Sequence, residues 1–187
     1  MSAPTSTWHE ATLSDTLAKA IQTLQQTVRT TSGAEKAEFR AATVSSEDSF
    51  ATDARIRGFT LRLDEPAALG GADSGPNPVE AVLAALGSCQ AIVYRAYASA
   101  LGLRLDRVEV DARGRLDLRG FLGLAPVAAG YEAVTFRTRI ESPEPPEKIQ
   151  ELARLVEEHC PVLDILRRPV PVTGQVTHVP SAERSAA

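Results

Sequence analysis

Cysteine is scarce in this chain. Two of its 187 residues carry thiols, Cys89 and Cys160, too few for a disulfide scaffold and without the C-x-x-C spacing of zinc or thioredoxin-like sites. Histidine is nearly as rare, at three. There is no Walker loop, no G-x-G-x-x-G and no G-x-S-x-G, which removes the usual sequence grounds for phosphate binding, dinucleotide binding or a serine nucleophile elbow. The glycines of LGGADSG come without the lysine of a phosphate cradle. No basic stripe with interleaved aromatics occurs. Lysine and arginine number 20 against 24 acids, a net charge of −4 that disfavours nucleic acid and anionic membrane as partners. The opening MSAPTSTWHEATLSD has no basic start and no apolar run, so it does not read as a secretory signal, and the expected location is cytoplasmic.

What the chain does have is one dominant stretch, NPVEAVLAALGSCQAIVYRAYASALG, from Asn77 to Gly102. Asn77 suits a helix N-cap, Pro78 the first helical position, and Glu80 stands three past the cap, as a capping box requires. Gly102 suits the left-handed residue that closes a helix. Between them lie about 24 residues, roughly 36 Å of helix. Val82, Leu83, Leu86, Ile92, Val93, Ala96 and Leu101 make it apolar on nearly every side, so it is expected inside something. Its length approaches that of a membrane span, but Glu80, Gln90 and Arg95 interrupt it, and the expectation is a soluble protein.

Around that helix the pattern changes type several times. Leu13, Leu17, Ile21, Leu24 and Val28 recur at helical spacing, predicting an amphipathic helix ended by TTSG at residues 30–33. From Lys36 to Asp64 the alternation of Ala37, Phe39 and Ala41, and later of Phe59, Leu61 and Leu63, predicts strands joined near Ser45–Ser49. Val108, Val110 and Ala112, continuing towards Leu116 and Leu118, predict another strand, with an irregular excursion from Gly120 to Gly130. Val134, Phe136, Thr138 and Ile140 then predict a half-buried partner. Ile149, Leu152, Val156 and Cys160 share one helical face, and Pro161 breaks or restarts that helix. VPVTGQVTHV from Val170 reads as a last strand. Strands in runs separated by a helix predict an α+β fold in one domain. The organisation expected is residues 1–35 as tail and amphipathic helix, 36–180 as the main domain, and 181–187 as tail.

Each chemical candidate has an ordinary structural explanation beside it. A free cysteine is usually a small buried hydrophobe. These two, however, are the only thiols and lie on apolar faces of predicted helices. Cys89 follows Gly87-Ser88, which lets something approach the backbone, and if Cys160 caps a restarted helix the free N–H groups there favour a thiolate. Glu80 reads equally as a cap and as a site residue, and it lies nearly opposite Cys89 on the helix cylinder. Arg95 is about 120° from Cys89. Arg62, out of phase with Leu61 and Leu63, reads first as a solvent-facing strand residue. His159 adjoins Cys160 but consecutive helical residues diverge by about 100°, so a Cys-His pair is a weak reading.

GPNPVEAVLAALGSCQA, followed about 70 residues later by EEHCPVLDIL, resembles the OsmC/Ohr family of osmotically inducible and organic hydroperoxide resistance proteins. The likeness runs from roughly Lys36 to Val179 and leaves the N-terminal helix outside. It implies two antiparallel sheets wrapped around two long central helices, in an intertwined homodimer with sites at the subunit interface. It also implies reduction of organic hydroperoxides to alcohols by two cysteines, with no metal, flavin or other cofactor, reset by an external thiol or lipoyl-type dithiol. Cys89 matches the peroxide-attacking cysteine and Cys160 the resolving one. Val79 stands where many members carry glutamate, ten positions before the first cysteine, and Glu80 is one later, as in an OsmC-like branch with Pro-x-Glu. Arg62, in FTLRLDEP, is the nearest match to the family arginine that holds the thiolate. A non-catalytic dimer binding a small apolar ligand at its interface is the alternative. A structural Cys89–Cys160 disulfide, worth roughly 4 kcal/mol by chain entropy, is a third reading that a reducing compartment disfavours.

Overall fold

The computed structural model describes residues 13–45 and 47–180. The expected tails at 1–10 and 181–187 lie outside those residues. Helix α1 spans Leu13–Thr30, then strands β1 (Ala42–Ser45), β2 (Thr52–Ile56) and β3 (Phe59–Leu63) form one antiparallel sheet in the order 1-2-3. A short 3-10 turn at Ala67–Leu69 leads into α2, Pro78–Ala100. Strand β4 (Arg107–Leu116), helix α3 (Leu118–Phe121) and strand β5 (Tyr131–Glu141) make a long antiparallel hairpin, and α4 (Pro146–His159) and α5 (Pro161–Arg167) follow. The fold is α+β, as the sequence predicts.

The central helix forms as its ends dictate. The Asn77 side chain accepts from the Val79 N–H at 2.8 Å and the Glu80 carboxylate accepts from the Asn77 N–H at 2.9 Å, completing the capping box. At the other end Gly102 takes φ +67, Gly102 N–H donates to Ser99 O at 3.3 Å, and Leu103 N–H to Ala98 O at 2.8 Å. That is the reciprocal pair of bonds of a Schellman close, and glycine takes this φ without a Cβ penalty.

Two apolar clusters hold α2 against the hairpin and α4. Tyr94, Ala98, Leu105, Leu152 and Val156 form the first; Leu86, Cys160 and Leu163 form the second, with Ala112, Val134 and Phe136 packed against it. The buried residues of α2 are Leu86, Gln90, Tyr94 and Ala98, a single stripe at every fourth position. The remaining faces are open within one chain, with Ile92 at 67% exposure. α2 is also long and apolar enough to cross a membrane by length and composition alone. The sequence therefore predicts deeper burial than a single chain provides.

Three strand expectations change. β1 begins at Ala42, so Ala37–Ala41 is not part of it, and Phe39 stands 92% exposed. The run after Val170 forms no strand: among the described residues no neighbouring strand pairs with it, and Val172 and Val176 are exposed. Beyond β4, Leu118 turns into α3 rather than continuing the strand, because Asp117 caps that turn by accepting from Arg119 N–H at 2.9 Å.

Candidate functional site

Cys160 is the hinge between α4 and α5, closing the first helix and serving as N-cap residue of the second. Pro161 forces this, because it has no N–H to continue α4 yet suits the first position of α5. The side chain is 1% exposed and packs with Leu86 and Leu163. Cys89, half-buried on α2, packs against the same cluster, and both cysteines are free thiols. The structure thus brings together two sulfurs that are about 70 residues apart in sequence.

Burial pushes the Cys160 thiol up, and the neighbouring Cys89 thiol adds to the rise. The backbone N–H groups of Leu163 and Val162 act in the opposite sense. The expectation that a restarted helix would favour a thiolate therefore meets a larger opposing effect. The cap exists, and desolvation outweighs it.

Arg62 and Glu80 sit at the two ends of one hydrogen-bonded loop rather than beside the thiols. Arg62 Nη1 pairs with Asp53 at 3.3 Å and its Nε donates to Ser74 Oγ at 3.1 Å. Ser74 Oγ in turn donates to Asp64 at 2.8 Å, and the Asp64 carboxylate also accepts from the N–H groups of Glu65, Ala72 and Ser74 at 2.8, 3.2 and 3.1 Å. These bonds, the Ser74 hydroxyl first, hold the Asp64 carboxyl below its usual range although burial opposes them. Gly71 permits the fold-back, since a Cβ there would lie 1.8 Å from Glu65 O. Glu65 then accepts from the Asn77 side chain, which reaches the capping box and Glu80. Asp64 was not singled out from sequence; an aspartate at a strand end before a Gly/Ser loop is the signal that could have found it.

Other candidates resolve as structural. Arg95 donates to Leu105 O and Asp106 O, fastening the entry to β4. His159 Nδ1 lies 2.8 Å from Leu155 O, and its ring packs on Tyr97 with centroids 5.3 Å apart, so it serves the α4 terminus. Gly87 is not required by close approach within the chain, for a Cβ there would meet Val110 O at an ordinary 3.6 Å. An open groove of about 540 Å³ instead runs from Glu80 past Leu83, Gly87 and Ser88, against Asp111 of β4. Tyr131 ties β5 to the start of α2 by donating to Val79 O at 2.8 Å; burial and the Glu80 charge push its phenol up.

Gln90 was noticed only as a polar interruption. It is fully buried, and neither its amide oxygen nor its amide nitrogen has a hydrogen-bond partner. Its position four past Leu86 and four before Tyr94 is the signal that it faces inward. Among the described residues no group of three or more His, Cys, Asp or Glu side chains converges as a metal site.

Comparison with known proteins follows the same outline. The sequence pattern of the OsmC-like protein family matches residues 71–174, more than half of the chain. A protein of Haloferax volcanii described as uncharacterized is 30% identical over 123 residues, covering 65% of this chain and 83% of that protein. An OsmC-like protein from Mycoplasma pneumoniae superposes with a TM-score of 0.61 at 22% identity, over 71% of this chain and 89% of that one. An organic hydroperoxide resistance protein OsmC from Legionella pneumophila gives 0.54 at 19% identity, over 71% and 92%. At these identities the structural likeness is one of fold.

Proposed function

The chain belongs to the OsmC-like protein family, and on that premise we propose that it is a thiol-dependent peroxidase that reduces organic hydroperoxides to alcohols. The observation that carries this reading is the pairing of its only two cysteines, both free, in one cluster. Their unequal burial supports a division of roles. Half-buried Cys89 can be reached by a substrate, whereas Cys160, held as a thiol by burial, can be reached only by Cys89. The Cys89 thiolate attacks the O–O bond; the alkoxide leaves and takes up a proton, and Cys89 becomes a sulfenic acid. Condensation with Cys160 gives a disulfide before oxidation climbs to irreversible acids. A small external dithiol resets the pair.

The reading includes a homodimer in the cytoplasm. The β1–β3 sheet packs mainly on itself, its Phe59 is exposed, and α2 keeps apolar faces open. A second copy laid across these surfaces would cover them, and would give Arg62 of a second copy a route to the thiolate that it lacks within its own chain. Helix α1 would then cover part of the interface.

A second reading has its own observation. An apolar groove of about 400 Å³ lies between Leu17 and Ile21 of α1 and Ala91, Ile92 and Ala96 of α2, which suits a non-catalytic dimer binding a small apolar ligand. Turnover separates the two. Consumption of cumene-type hydroperoxide with a lipoyl-type dithiol, falling by about two orders of magnitude or more in Cys89→Ser, is the result expected of the peroxidase. No turnover above the buffer rate, with an apolar probe bound in the groove, would establish the second reading instead.

A further inference from the structure

Gln90 occupies a position that packing alone disfavours. An amide transferred from water to an apolar interior without hydrogen bonds is penalised on both its oxygen and its nitrogen, and buried side chains are almost always paired. In this dithiol form both atoms are unpartnered and the residue has no exposure.

Its place in the fold is specific. Leu86 of the α2 stripe meets Cys160 and Leu163, while Tyr94 and Ala98 meet Leu152 and Val156. Along α2 the contacts therefore run backwards along α4, and Gln90 falls at the seam between the two clusters, one helical turn from Leu86. That is the level of the two thiols, since Leu86, Cys89 and Val93, which surround Gln90 on the surface of α2, all belong to the cluster around Cys160. The inward-facing residue of β5 between Phe136 of one cluster and Ile140 of the other is Thr138, whose hydroxyl lies beside the Tyr94 phenol. The seam thus holds a buried amide without a partner in the reduced protein, beside a site whose chemistry creates a new polar group.

We propose that Gln90 is a hydrogen-bonding partner of the oxidised Cys89, holding the sulfenic hydroxyl while Cys160 closes on it. This rests on the peroxidase reading. In the closing step the Cys89–Cys160 S–S bond forms and the Cys89 S–O bond breaks. The oxygen leaves with the Cys160 proton as water, the sulfenic sulfur is reduced and the Cys160 sulfur oxidised. The Gln90 amide N–H can donate to the departing oxygen and its carbonyl can accept a hydrogen bond from the same hydroxyl, so it acts on closure and not on the first attack. The arrangement also explains the orphaned amide: it is matched to an intermediate rather than to the resting dithiol.

The test is a single-turnover experiment on the full-length protein with one equivalent of cumene hydroperoxide, following loss of the first thiol and of the second separately. Gln90→Met keeps the volume and removes the polar atoms; Gln90→Glu checks that the site tolerates a polar change. The expected result for Gln90→Met is first-thiol loss within twofold of the parent and closure slowed tenfold or more. A dimedone-reactive sulfenic acid should accumulate, and the Tm of the reduced form should be unchanged or higher. Equal closure rates in parent and Gln90→Met overturn the proposal. So does a lower reduced-state Tm with closure unchanged, the mark of a lost buried water. If the parent itself loses neither thiol, the peroxidase reading fails first and this inference falls with it.

Discussion

The two sheets of this protein differ in how they are completed. The β4–β5 hairpin packs against α2, and α2 against α4 and α5, so its inward residues reach both apolar clusters, Val108 the first and Ala112, Val134 and Phe136 the second, which seats both cysteines. The β1–β3 sheet has the same antiparallel logic and the same alternation, yet its Phe59 and Leu61 remain exposed. One sheet finds its cover within the chain. The other carries its polar ties, from Arg62 through Ser74 to Asp64, only to the loop that leads into α2. The thiol pair is thus built by a single chain, whereas the charge proposed to activate it sits on a sheet that keeps apolar side chains exposed within the chain.

That contrast can be broken by substitution. The largest stability loss is expected for Leu152→Ala, which opens a cavity in the first cluster; about 2–5 kcal/mol should be lost by chemical denaturation of the reduced protein. Leu152 lies wholly within the chain, so most of that loss should persist on dilution. Phe59→Ser should behave oppositely. It should cost about 1.5–3 kcal/mol of self-association, seen by analytical ultracentrifugation as dissociation at higher concentration, while the far-ultraviolet spectrum is kept. If Phe59→Ser has no effect on mass at any concentration, a second copy does not cover that face.

Smaller effects sharpen the same division. Asn77→Ala removes the cap of α2 and should cost about 1 kcal/mol, measured by denaturant midpoint. The smallest is a pH effect in the thiol cluster. Cys160 is raised in the folded reduced protein, so folding favours its protonated form. Its contribution to stability is complete below the unfolded thiol pKa and is lost as pH rises through the folded value. Thermal scans from pH 8 upward should show the reduced parent losing more stability than Cys160→Ala over that interval. Parallel curves would place Cys160 in a wetter setting.

Sequence made the local parts legible. Asn77, Pro78, Glu80 and Gly102 announce α2 because caps and closes are local chemistry, and the structure makes each of those bonds. The step from Ile149 to Cys160 announced the inward aim of the second thiol, and Pro161 the restart of the helix. Non-local matters were less legible. Alternation in Phe59, Leu61 and Leu63 predicts the strand that forms as β3, and records that a face is apolar but not which surface covers it. The valines after Val170 have a strand's pattern without a strand to pair with among the described residues. The roles of Asp64 and Gln90 are not legible in sequence because a polar residue's importance lies in its partners, and for Asp64 all but the adjacent Glu65 come from eight or more residues away, while for Gln90 they are missing.

The most direct measurement is a thiol titration of the native reduced protein after one equivalent of an organic hydroperoxide, with peptide mass mapping under non-reducing conditions. The peroxidase reading predicts that both thiols disappear together and that the Cys89 and Cys160 peptides of a single chain are joined. Two thiols still titratable after that treatment, or a disulfide only between chains, would contradict it.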